Sequence, residues 1–134
     1  RSPIIRWAAR TRKQFDQLDI CFDGKRLLLL DPLGYIDFLS LLADAALVIT
    51  DSGGVQEETT YLQIPCLTVR SNTERPITLQ VGTNQLIAGN RSMLVQAANN
   101  IIHSGLQCVP RQPDKWDGHA AARIVQVMCE LHVH

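Results

Sequence analysis

Runs of four or five apolar side chains alternate along this chain with stretches in which apolar residues recur every third or fourth position. A continuous apolar run suits a strand covered on both faces of a parallel sheet, and the longer spacing suits one face of a helix. Strands are therefore expected at Ile4 to Trp7, Leu27 to Leu30, Ala45 to Ile49, Cys66 to Val69 and, more briefly, Gln85 to Ala88. Helices are expected at Thr11 to Leu18, Tyr35 to Ala43, about Gly54 to Leu62, Ser92 to Ile102 with a stop near Gly105, and Asp117 to about Leu131. Phe38 falls on one helical face with Tyr35, Leu39 and Leu42, and Ile124, Val127, Met128 and Leu131 form the expected buried stripe of the last helix. The alternation defines an α/β fold, Rossmann-like and doubly wound, with a mostly parallel sheet whose central strand is expected at Ala45 to Ile49.

Open parallel sheets bind ligands outside the carboxyl ends of their strands. Three of these ends are polar: Asp31-Pro32-Leu33-Gly34, Asp51-Ser52-Gly53-Gly54, and Arg70 through Pro76. The second is a strand that turns through two glycines into a helix. The first amides of a helix have no intrahelical acceptor and lie at the positive end of its dipole, so bare glycines there admit phosphate oxygens. Gly53 and Gly54 are thus the candidate diphosphate site. A plainer reading is also open: Ser52 or Asp51 is an ordinary N-cap, and Glu57 and Glu58 in the first turn favour the dipole without a ligand. The segment has neither a G-x-G-x-x-G fingerprint nor the Lys-Ser/Thr of a P-loop.

The chain has 134 residues, 46% of them hydrophobic, which suits one compact domain spanning 1–134. Its 13 basic and 13 acidic side chains cancel, so no global field draws it to nucleic acid or to an anionic membrane. Cys21, Cys66, Cys108 and Cys129 are scattered without a C-x-x-C, which argues against a zinc site and fits a reduced, cytoplasmic setting. No apolar run approaches the roughly 20 residues of a membrane helix. His103, His119, His132 and His134 carry no ligand spacing that calls for a metal, and Arg10, Arg12 and Lys13 suit a solvated helix face.

Taken together, Pro32-Leu33-x-Tyr35-x-Asp37-Phe38, Thr50-Asp51-Ser52-Gly53-Gly54-x-Gln56-Glu57-Glu58, Arg70-x-x-Thr73-Glu74-Arg75-Pro76, Gly82-Thr83-Asn84 and Asp117-Gly118-x-Ala120-Ala121-x-Arg123-Ile124 form an ordered set. In that order they resemble the C-terminal domain of the non-hydrolysing UDP-N-acetylglucosamine 2-epimerases. The resemblance implies most of the second domain of a two-domain glycosyltransferase-B-like enzyme, without that domain's first βα unit and without the N-terminal partner domain, with UDP or UDP-N-acetylglucosamine as ligand and no cofactor or metal. It implies that Ser52, Gly53, Gly54 and Arg75 hold the diphosphate, that Glu58 takes the ribose hydroxyls, and that Phe38 lines the uracil pocket.

Each assignment is chemically sound: a carboxylate accepts from two vicinal hydroxyls, and a guanidinium forks onto phosphate oxygens. The family inverts C2 by eliminating UDP to a 2-acetamidoglucal and adding it back. This chain then stabilises the leaving diphosphate, while the proton-transfer residues come from an N-terminal domain and an early motif that the chain does not contain. No catalytic residue is assigned here.

Departures from the family pattern fall at Ala8-Ala9, at Gln63 where a glycine usually closes the helix, and at Ile77. A free-standing or degenerate nucleotide-sugar-binding module, working as a homodimer or with a separate N-terminal domain, is the alternative from another class. A purely structural oligomerisation domain is a third.

Overall fold

The structure is a computed structural model and describes residues 4–6, 28–105 and 111–131. The helix expected over 11–18, the turn at Asp23-Gly24, and Ala8-Ala9, Cys21, Cys108, His132 and His134 lie outside the described residues. Two compact units divide the chain, 1–40 and 41–134. In the first, β1 (Ile4–Arg6) pairs in parallel with β2 (Leu28–Leu30), Ile4 opposite Leu28. The Asp-Pro-Leu-Gly stretch ends β2, and the Gly34 carbonyl accepts the Phe38 N–H at 2.9 Å to open α1 (Tyr35–Ala43), whose last three residues fall in the second unit. On α1, Leu42 is buried, Phe38 and Leu39 are half-buried, and Tyr35 is exposed.

The second unit is built from β3 (Val48–Thr50), α2 (Gly53–Tyr61), β4 (Cys66–Thr68), α3 (Pro76–Gln80), β5 (Asn84–Leu86), α4 (Arg91–Ser104) and α5 (Ala120–Leu131). Its sheet runs β3-β4-β5, every pairing parallel, with α2 and α3 as the connections such a sheet requires. β4 is therefore its middle strand, and all three of its residues are buried. The strand expected at Ala45 to Ile49 falls at residues 48–50 and, among the described strands of this unit, pairs only with β4, with Ile49 51% exposed. An apolar run records that a strand has covered faces; it does not record strand order.

Much of the core is polar. Beside Leu42, Ile64, Cys66, Leu67 and Ile87 it buries Gln56, Thr59, Thr60, Thr68, Thr78, Thr83 and Asn84. The inward residues of α2 are Gln56, Thr59 and Thr60. Thr59 satisfies its hydroxyl on the Val55 carbonyl at 2.8 Å. Cys66 is a core residue, and burial pushes its thiol pKa up. Gly82 fits because it is bare: a Cβ there would lie 2.6 Å from Thr60 Cγ2 and 2.7 Å from the Thr78 carbonyl.

α2 ends in a Schellman motif. Gln63, at φ 59°, stands in the left-handed position, with Gln63 N–H on Thr60 O and Ile64 N–H on Thr59 O at 3.2 and 2.9 Å. α4 is capped at both ends, by Asn90 Oδ1 on the Ser92 and Met93 amides and by Gly105 at φ 72°. α5 begins later than expected, because Gly118 at φ 78° precedes it and Asp117 folds back to accept from the His119 N–H and from Arg123. Its stripe differs from expectation: Ile124, Val127, Met128 and Leu131 are between 53% and 71% exposed. Among the described residues no helix is long and apolar enough to cross a membrane, and no cluster of three or more metal-ligating side chains occurs.

Candidate functional site

At the carboxyl end of β3 the chain makes one small turn: the Ser52 N–H donates to Thr50 Oγ1 at 3.1 Å. Ser52 is the N-cap of α2 with extended backbone, φ −86° and ψ 129°, and its carbonyl accepts the first helical bond, from Gln56 N–H at 3.3 Å. Its hydroxyl caps nothing. The first-turn amides of Gly53, Gly54 and Val55 therefore have neither an intrahelical acceptor nor a side-chain cap. The plainer reading of this corner also expected acids in the first turn. The helix starts at Gly53, so Glu57 and Glu58 fall beyond that turn, which holds no acid.

The two glycines are not required by packing. Beyond its own helix and chain neighbours, a Cβ on Gly53 meets no atom within 4 Å, and one on Gly54 meets only Ser52 Oγ at 4.0 Å. Neither has the positive φ that demands glycine. What their missing side chains achieve is open access to backbone N–H groups at the positive end of a nine-residue helix. Ser52 and Gly54 are exposed.

Farther along α2, Glu58 is half-buried, and its Oε2 is shielded with no hydrogen-bond partner among the described residues. Glu57 meets Arg75 across the β4–α3 loop, with Nε 2.7 Å from Oε1. The Nε–H is not aligned with that oxygen, so the contact is an ion pair without a directed hydrogen bond. Both side chains are 41% exposed, which keeps the pair weak and exchangeable. Arg70 instead pairs with Glu74 at 3.4 Å on the surface. Phe38 belongs to the first unit, on α1.

Gln56, Thr73 and Asn84 stand in the matched motifs without an assigned task, and the structure joins them. Gln56 Oε1 accepts from Thr73 Oγ1 at 2.6 Å and from Asn84 Nδ2 at 3.2 Å. Asn84 Nδ2 also donates to Thr78 Oγ1 at 3.2 Å, and Asn84 Oδ1 accepts from Thr68 Oγ1 at 2.6 Å. Thr73 and Thr78 in turn hold the backbone of Arg75: Thr73 Oγ1 takes its N–H at 3.0 Å, and the Thr78 hydroxyl donates to its carbonyl at 2.7 Å.

The parallel strands and their connecting helices make this an α/β domain of the kind found in glycosyltransferase-B-like epimerases. The family model described as UDP-N-acetylglucosamine 2-epimerase matches residues 4–129, and the chain belongs to that family. It is 43% identical over 91 residues to the UDP-N-acetylglucosamine 2-epimerase of Methanocaldococcus jannaschii, a match covering 68% of this chain and 25% of that protein. The crystal structure of the same organism's enzyme in complex with UDP-GlcNAc and UDP is similar at TM-score 0.81 and 34% identity, over 97% of this chain and 36% of that one. An S. aureus MnaA–UDP co-structure is similar at TM-score 0.84 and 28% identity, over 99% and 38% respectively. The chain thus spans between 25% and 38% of the length of these relatives.

Proposed function

We propose that this chain is the nucleotide-sugar-binding part of a UDP-N-acetylglucosamine 2-epimerase and that its ligand is UDP or UDP-N-acetylglucosamine. The amides and hydroxyl at Ser52, Gly53 and Gly54 hold the diphosphate, Arg75 adds a guanidinium to it, and Glu58 accepts from the ribose hydroxyls. The family pattern assigns Phe38 to the uracil. The observation that carries the reading is the start of α2, where two glycines leave first-turn amides open although neither packing nor backbone conformation calls for glycine. The shielded, unpartnered Oε2 of Glu58 supports the ribose role, since a buried acceptor without a donor is costly until one arrives.

Elimination breaks the C1–O bond and leaves its electron pair on the departing UDP, which gains one negative charge at its terminal phosphate. Amides fixed before the reaction stabilise that charge without reorganising, so in this account the chain contributes leaving-group binding. Removal and return of the C2 proton is assigned to residues outside the motifs matched here.

Calorimetric titration tests the reading. UDP is expected to bind the chain saturably, Gly54→Asp to abolish binding by placing a carboxylate where the phosphate goes, and Arg75→Ala and Phe38→Ala each to weaken it about tenfold or more. No heat and no thermal shift with millimolar UDP would overturn it.

A further inference from the structure

Arg75 lies on a loop between β4 and α3, outside any hydrogen-bonded ladder, at φ −121° and ψ 59°. Its backbone is nonetheless fixed on both sides: Thr73 accepts its N–H, and the Thr78 hydroxyl and amide, at 2.7 and 3.0 Å, donate to its carbonyl. Those two hydroxyls are anchored in turn by buried amides, Thr73 on Gln56 and Thr78 on Asn84, and the amides meet each other at Gln56 Oε1. Both paths from the Arg75 backbone, one through Thr73 and one through Thr78 and Asn84, reach Gln56, the second with a branch to Thr68; Gln56 is fully buried and directly follows the open amides on α2.

The geometry points to Gln56 as a positioning residue for Arg75: through Thr73 and Asn84 it locks the arginine loop to the helix whose first turn receives the diphosphate. This deepens the proposed function and rests on it. An apolar side chain of the same size would fill the space at less desolvation cost, since Gln56 Nε2 has no partner among the described residues and a buried donor left unsatisfied keeps its full desolvation penalty. Such a polar group is explained if it orients something, because a connected network in a low dielectric fixes one arrangement of the loop. The Glu57 contact alone does not do this, being half-exposed and unaligned.

The test is a double-mutant cycle on UDP affinity in the 134-residue chain. Gln56→Met keeps the volume and removes the acceptor. It is expected to weaken UDP about tenfold beside Arg75 and to change affinity less than about twofold in an Arg75→Ala background. Thr73→Val is expected to reproduce that pattern, and Thr73→Ser, which keeps the hydroxyl, to restore wild-type affinity. If Gln56→Met does not fold, the Thr73 pair, at a half-buried loop position, decides alone. Unchanged affinity in Gln56→Met or Thr73→Val, or an equal loss with and without Arg75, overturns the inference while leaving UDP binding intact. Failure of the unsubstituted chain to bind UDP overturns the diphosphate reading itself.

Discussion

Single positions carry much of the argument. Gly82 and the pair Gly53-Gly54 are bare for opposite reasons: a Cβ at Gly82 would collide with α2 and α3, whereas at Gly53 and Gly54 it would point into open space. Gln63 shows what happens when a glycine is missing where the backbone wants one. At φ 59° it carries the left-handed penalty of a Cβ, and its side chain is exposed. Gln63→Gly is expected to stabilise the chain by about 1 kcal/mol, read as a higher urea midpoint with an unchanged m-value. This position was legible through the family resemblance, in which a glycine usually closes the helix before the next strand. Gln56 was legible only as part of a motif. Its partners lie 17 and 28 residues away along the chain, and hydrogen bonds at that separation leave no local pattern to read.

Among elements, periodicity served the apolar helices and strands and failed where burial is polar. α2 was found from its flanking strands and glycine start; its inward face of Gln56, Thr59 and Thr60 carries no hydrophobic signal. α3, five residues long, had only Pro76 at its first position to announce it. α5 was found from its stripe, yet spacing shows only that a helix has an apolar face and says nothing of what covers it; the stripe is exposed.

The start of α5 makes a pH prediction. Arg123, donating to both oxygens of Asp117, and then the His119 amide hold that carboxyl well below the usual carboxylate range. A depressed folded-state pKa contributes stability above the unfolded-state value of about 4, lost as pH falls below it. The group is exposed, so the effect is small and screened by salt. Unfolding curves of the unsubstituted chain and Asp117→Asn are expected to differ at neutral pH and to converge in acid; a gap that persists in strong acid would refute the assignment.

At the scale of the molecule, the fold was readable because alternation of strands and helices constrains topology strongly, and every described strand pairing is parallel as expected. Family membership explains the order of the motifs. Within the second unit, one helix supplies open amides, a carboxylate whose shielded oxygen has no partner among the described residues, and the buried amide under the arginine loop. The central claim is that the first turn of this helix grips a diphosphate. Amide NMR spectra of the ¹⁵N-labelled chain, titrated with UDP, pyrophosphate and uridine, test it most directly. The account predicts saturable shifts of the Gly53, Gly54 and Val55 signals with UDP and pyrophosphate and none with uridine. Signals of these three amides that stay fixed while UDP binds elsewhere, or that move equally with uridine, would contradict it.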